Sequence, residues 1–203
     1  MANKLPWLDA DGIRWLSSVL HDKGYGNAVV ERIEAEALPA KGAFGSFVRL
    51  HISYEQGKAA GPSSLVVKIP RIDESNRDIA VALGVYVLER RFYAELAPRI
   101  PVRVPICYYV GDDDEDPLVL EDLGDWRTVN QTQGLNLAEV TSVIDSLAIL
   151  HTRFWPGHAE NVAKIGWLNQ PRSKMLDAVK CNIMQVGASN LRNRYAQIGR
   201  AHV

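Results

Sequence analysis

The sequence predicts an α+β protein, with an antiparallel sheet in the first part of the chain and helices in the last. Three observations carry this expectation. The run "FVRLHISYE" alternates with period two, setting Val48, Leu50, Ile52 and Tyr54 on one side and Phe47, Arg49, His51 and Ser53 on the other, which is the signature of a strand. From Ser75 to Leu96 the apolar spacing becomes helical, between two groups of strand-like segments. From Asn136 to Trp155 one long apolar stripe marks a second helical regime.

Each element follows in chain order. "DADGIRWLSSVLHDKGYG" places Ile13, Leu16, Val19 and Leu20 on one helical stripe, ended by Gly24 and Gly26. "VVERIEAEAL" is short and reads as a strand. The clean strand at Phe47 follows, then the polar turn segment "EQGKAAGPSS", then "SLVVKIP", which completes a hairpin. In the helical run from Ser75 to Leu96, Ile79, Leu83, Tyr86 and Val87 share a face, and Pro98 and Pro101 end it. "VPICYYV" and "PLVLEDL" are two more strands joined by "GDDDED". The helix from Asn136 to Trp155 aligns Leu137, Val140, Ile144, Leu147, Leu150, His151 and Phe154. The segment from Trp167 to Ala196 is helical with weaker patterning. This order divides the chain into residues 1–122 and 123–197, joined near Leu123–Gly124.

Composition narrows the function classes. The 203 residues are 47% hydrophobic, with 23 basic and 24 acidic side chains and a net charge of −1. That balance supplies no electrostatic footprint for nucleic acid or an anionic membrane surface. No apolar run approaches a membrane span, and "MANKLPWLDADG" lacks the build of a signal peptide. Cys107 and Cys181 have no CxxC spacing and read as reduced thiols. A cytoplasmic protein is the expectation.

The most informative stretch is "LVVKIP", residues 65–70. Lys68 stands among Leu65, Val66, Val67 and Ile69 in a strand that reads as buried on both faces, where an unpaired ammonium costs several kcal/mol. The bland alternative is an edge lysine snorkelling to water. Ahead of it, "AKGAFGSF" sets Gly42 and Gly45 about a turn, and glycines let backbone amides approach anionic oxygens. Such a turn is also an ordinary hairpin. After it, "VLERRFYAEL" carries Glu89 near the apolar stripe, where it is either a solvated helix charge or a partner for Lys68. Other features carry no site. "GDDDED" lacks EF-hand spacing and reads as a solvated hairpin tip. His151 reads as a packing residue and "FWPGH", with His158, shows no ligand pattern. Trp155 and Trp167 read as packing between helices, or as lining a cleft.

In combination these segments resemble the aminoglycoside phosphotransferase/choline kinase-like family, nearest its ecdysteroid-kinase-like (CHK) branch. The resemblance rests on "SLVVKIP", "ERRFYAEL" followed by "IPVRVPICYY", "LVLEDLGDWRTVNQTQGL" and "LAILHTRFW", and covers roughly Ala40 to Trp155. It implies a protein-kinase-like fold: an antiparallel-sheet nucleotide lobe with one inserted helix, then the first helices of a helical lobe. It also implies transfer of the γ-phosphoryl of ATP, with Mg2+, to a hydroxyl of a small molecule. On this resemblance Lys68 and Glu89 are the phosphate-binding pair, and Gly42, Gly45 and Ser46 shape the loop over the nucleotide. Val66, Leu118 and Leu120 form an apolar slot for the purine. The connecting segment Leu120, Glu121 and Asp122 meets adenine through backbone groups at about Leu120 and Asp122. Their side chains are not expected to be catalytic, and Asp122 or Asp125 caps the next turn.

The sequence departs from the family's pattern in one respect. The His-Gly-Asp…Asn loop and the later Asp-containing strand, which supply the catalytic aspartate and magnesium ligands, have no counterpart, and "GHAEN" has no aspartate. Residues 198–203, "IGRAHV", are also the translation of ATC GGA AGA GCA CAC GTC, a sequencing-adapter read-through. The expectation is a truncated kinase that is inactive alone, with an exposed apolar face on the Asn136–Trp155 helix. The alternatives are a pseudokinase-like, non-catalytic nucleotide-binding module, or an unrelated α+β domain with a solvated Lys68. The acceptor is open among aminoglycoside, choline, sugar, steroid and other hydroxyl compounds.

Overall fold

Helix α1 (Ala10–Asp22) begins where Asp9 accepts hydrogen bonds from the Asp11 and Gly12 N–H groups at 3.1 and 2.9 Å. It ends where Gly24, at φ 92°, turns the chain so that the Tyr25 N–H returns to the Leu20 carbonyl. The computed structural model describes residues 9–39, 44–57, 61–70, 77–78, 80–81, 83–113, 116–124, 126, 129, 133–155, 157, 165–168, 184–185 and 187–189. Gly42, Ile79, Asp125, His158, Cys181 and the tail at 198–203 lie outside the described residues.

Five strands follow: β1 (Val30–Leu38), β2 (Gly45–Tyr54), β3 (Ser64–Pro70), β4 (Cys107–Val110) and β5 (Leu118–Glu121). They form one sheet in the order β1-β2-β3-β5-β4, each pairing antiparallel. This is the α+β, kinase-like arrangement that the sequence predicts. The alternation of β2 holds, and its Val48, Leu50 and Ile52 are buried with Ile33, Leu65, Val67 and Val119. Leu16, Val19 and Leu20 of α1 pack on that face and complete the core. Ser17 Oγ accepts the Val30 N–H at 3.1 Å and ties α1 to the start of β1.

β3 differs from expectation in one respect. It is buried on a single face, through Leu65 and Val67, while Val66, Lys68 and Ile69 are only half-buried. The opposite face therefore keeps room for a charge. The helical run also differs. Residues 77–78 and 80–81 are helical, but Gly84 adopts φ 65° and starts a separate helix, α2 (Val85–Arg91). A left-handed residue cannot continue a right-handed helix, so the apolar stripe from Leu83 to Val87 is not one continuous face. α2 then widens into a π-helical turn (Phe92–Leu96), where the Ala97 N–H reaches back to the Phe92 carbonyl, and into a 3-10 turn (Ala97–Arg99). Pro98 supplies no N–H for the Ala94 carbonyl and its ring crowds it, which disfavours a further α-helical turn.

Helix α3 (Leu137–Phe154) opens on a capping box: Asn136 Oδ1 accepts the Glu139 N–H at 3.0 Å, and Glu139 Oε2 accepts the Asn136 N–H at 2.9 Å. Its stripe is exposed, with Leu137 82% accessible and Ile144 and Leu147 also open. His151 is exposed as well, which corrects its reading as a packing residue: periodicity marks a face, whether or not anything covers it. Trp155 is likewise exposed, whereas Trp167 donates from Nε1 to Glu95 Oε2 at 2.7 Å. No described helix is long and apolar enough to cross a membrane.

This division between a sheet–α1 core and an uncovered α3 stripe sets the expected effect of mutation. Leu50→Ala, at a fully buried position, lowers unfolding free energy by about 3 kcal/mol. Leu137→Ala changes it by less than about 0.5 kcal/mol. Urea denaturation of both variants checks the contrast, and a Leu137 effect as large as that of Leu50 would contradict it.

Candidate functional site

Because side chains alternate across a strand, the burial of Leu65 and Val67 against α1 sends Val66 and Lys68 to the opposite face. The register extends that face over neighbouring strands. Phe47, Lys68 and Leu118 form one cross-strand row, and Arg49, Val66 and Leu120 the next. Gly45 begins β2 opposite Pro70. Ser46 pairs with Ile69 and by alternation shares the face of Val48, not that of Lys68.

Lys68 Nζ donates to both Oε1 and Oε2 of Glu89 at 2.5 Å. The side chains are 19% and 25% exposed, so the pair is largely withdrawn from water while remaining reachable. Glu89 comes from α2, whose start at Gly84 sets its rotation about the helix axis. Phe47 adds a ring whose centroid lies 5.6 Å from the ammonium. A half-buried charge of this kind needs its partner, since an uncompensated one bears the desolvation cost alone. Tyr93 lies within electrostatic range of Glu89: burial, then the charge of that carboxylate, pushes its hydroxyl up to about 12. It therefore stays neutral and adds no second anion beside the pair. A cavity of about 20 Å³, room for little more than a water molecule, is lined by Lys68, Glu89, Tyr86, Arg90 and Leu118 among others.

Two residues shape the approach to the ammonium. Gly45 does not adopt positive φ, nor does it sit in a turn, which corrects its reading as a loop glycine. A Cβ on it would lie 2.8 Å from Lys68 Cε and 3.4 Å from Cγ. Its small size, not its backbone freedom, lets the lysine stem pass. Tyr86, buried on α2, donates from its hydroxyl to the Phe44 carbonyl at 2.9 Å and anchors the segment leading into β2.

The segment leaving β5 has its own charge network. β5 lies between β3 and β4, so Leu120 belongs to the interior of the sheet. Even the Glu121 N–H is used, donating to the Ile106 carbonyl at 2.8 Å. The Glu121 carboxylate accepts from Arg103 and, at 3.0 Å, from the Ile106 N–H; the Arg103 bond holds its pKa below the ordinary range. Asp122 accepts from Arg49 Nε at 2.7 Å and from the Gly124 N–H at 2.9 Å, so it does cap the following turn. Burial acts to raise its pKa, but the hydrogen bonds from Arg49 and Ser64 and the Gly124 N–H outweigh it and hold the carboxyl below its usual value. Sequence reasoning passed over Phe47, Arg49 and the Tyr86 hydroxyl. The period of β2 already placed Phe47 and Arg49 on one side; only the hairpin register shows that this is the Lys68 side.

At the β4–β5 tip, Asp116 Oδ2 accepts the Asp112 and Asp113 N–H groups at 2.9 and 3.0 Å, as a turn-stabilising carboxylate. Among the described residues no His, Cys, Asp and Glu side chains are grouped so as to hold a metal ion.

Residues 41–153, more than half of the 203, match the model of the ecdysteroid kinase-like family. No curated protein and no solved structure matches the chain.

The Asp122 shift has a definite sign. The folded carboxyl is depressed below 3.8, so its stabilising effect is complete above that pH and drains away as pH falls through the lower folded-state value. In Arg49→Gln the main opposing bond is lost. Denaturation midpoints measured at successive pH values should therefore fall less steeply below pH 3.8 in the variant than in wild type; equal slopes would contradict the assignment.

Proposed function

The chain belongs to the ecdysteroid kinase-like family, whose members are kinase-like phosphotransferases, and from that premise we propose that its Lys68 face binds ATP for phosphoryl transfer to a hydroxyl group of a small molecule. The observation that carries this reading is the Lys68–Glu89 pair. Glu89 holds the ammonium at 2.5 Å on an accessible face of the sheet, so the cation is in place before any phosphate arrives. A preorganised charge of this kind needs no reorganisation when the nucleotide's oxygens replace water around it.

The remaining groups divide the nucleotide between them. Val66, half-buried, offers the purine an apolar surface backed by the buried Leu118 and Leu120, and backbone groups from Asp122 onward, the first beyond the ladder, would meet its polar edge. The segment containing Gly42 that leads into β2 would cover the phosphates, held at one side by the Tyr86–Phe44 bond, while Gly45 clears the lysine stem and Ser46, on the opposite face, takes no part. Magnesium, implied by kinase chemistry, finds no carboxylate grouping among the described residues. The role proposed for these side chains is accordingly to bind and orient the phosphates. The 203 residues contain no His-Gly-Asp sequence, so no residue of this chain is assigned as the base that orients the acceptor hydroxyl.

Two binding experiments check this reading. Lys68→Ala weakens ATP binding by about tenfold or more because it removes the cation at the phosphate end, and Glu89→Gln weakens it several-fold because a neutral amide holds that cation in place less firmly; isothermal titration reads both losses, and unchanged affinity would sink the proposal. Gly45→Ala leaves stability within about 1 kcal/mol, since the atoms in the way belong to a flexible side chain. It nonetheless weakens ATP several-fold by pushing Lys68 off Glu89. Retained affinity in that variant would show that Gly45 has no part in positioning.

A further inference from the structure

The face that carries Lys68 ends, two residue pairs away along β3, in a second ion pair that closes it. Arg49 is the cross-strand neighbour of Val66, yet its Nε and Nη2 donate to Oδ2 and Oδ1 of Asp122 at 2.7 and 3.4 Å. Asp122 lies beyond Leu120, which pairs with Val66 from the other side. The guanidinium must therefore cross over β3 beside Val66 to reach it. Its third nitrogen, Nη1, donates to Glu36 Oε2 at 3.3 Å, and Glu36 also bonds His51 Nε2 at 3.2 Å. A planar fork held on both edges in this way is fixed in orientation and leaves its flat faces for packing. Arg49 is 24% exposed and Asp122 only 8%, so the pair is a built part of the sheet face, not a surface contact.

The chain leaving β5 is fitted to this pair. A Cβ on Gly124 would stand 3.1 Å from Arg49 Nη2 and 3.2 Å from Asp122 Oδ1, while the Gly124 N–H donates to the same Oδ1 at 2.9 Å. One guanidinium thus joins β1, β2 and the Asp122–Gly124 segment. We infer that Arg49 is the positioning residue for the base end of the slot: it holds Asp122–Gly124 where their backbone groups meet the purine edge, and its guanidinium, fixed at both edges, is the wall on which the ring stacks. The inference rests on the nucleotide reading of the Lys68 face and adds to it a division of labour, with Lys68 serving the phosphates and Arg49 the base.

The test separates the two ends of the ligand. ATP and inorganic tripolyphosphate are titrated against the full chain, each by competition with a fluorescent ATP analogue, in wild type, Arg49→Gln, Arg49→Lys, Asp122→Asn, Arg49→Gln/Asp122→Asn and Lys68→Ala. The expected result is a loss of about tenfold for ATP in each Arg49 and Asp122 variant, with tripolyphosphate unchanged. Arg49→Lys keeps the charge but loses the fork, so it is expected to bind ATP like Arg49→Gln and serves if the latter does not fold. The double variant loses no more than either single one, because both substitutions break the same contact. Lys68→Ala weakens both ligands. Parallel loss of ATP and tripolyphosphate in the Arg49 variants, or no loss of either, overturns the inference while leaving the nucleotide reading intact. Wild-type protein that fails to bind the analogue overturns the nucleotide reading itself, and this inference with it.

Discussion

A lysine in the middle of a sheet constrains every element around it. β3 must bury Leu65 and Val67 to complete the core with α1, and the two-residue period then leaves Lys68 no choice of side. On the other face the ammonium is mostly out of water, so a carboxylate has to reach it. That requirement accounts for several features that look unrelated in the linear chain. Gly84 begins a new helix that brings Glu89 to the lysine, Phe47 lies under the ammonium, and Gly45 lacks the side chain that would obstruct the stem.

The energetics argue that this arrangement is kept for more than stability. A partly exposed ion pair contributes only about 1 kcal/mol or less, and an apolar residue at position 68 would meet Val66, Leu118 and Phe47 with no desolvation cost. Two such pairs occur on the same face, Lys68–Glu89 and Arg49–Asp122, separated by the apolar Val66 and Leu120. The opposite face packs aliphatic side chains and several tyrosines against α1. Charge is thereby confined to one face of the sheet and the packed core to the other. Membership of a kinase-like family agrees with that division.

Much of this was legible in residue order. The alternation at Phe47–Tyr54, the stripe and glycine stop of α1, and the long helix from Asn136 all depend on neighbours a few positions apart, and all are present in the fold. The pairing of Lys68 with Glu89 was inferred from segment order by resemblance, and the two side chains do meet. The differences between chain and fold share a cause. A single glycine within helical spacing, such as Gly84, gives no outward sign of a left-handed backbone. Residue order alone does not tell a glycine needed for its flexibility from one, like Gly45, needed for its size. An apolar stripe specifies a face without specifying a partner, and His151 on such a stripe is exposed.

Local periodicity, capping residues and the one charge set in an apolar strand were determined by the sequence alone, since each arises from interactions within a few residues. Which side of the sheet carries the Lys68–Glu89 and Arg49–Asp122 pairs was decided only by tertiary structure, through the register of β2 on β3 and β5 on β3. A shift of one residue would exchange the faces and send Arg49 and Lys68 toward α1. The meeting of Arg49 with Asp122, 73 positions apart, belongs to that second category. Nothing local to either residue names the other, and only the folded sheet brings the two charges within bonding distance.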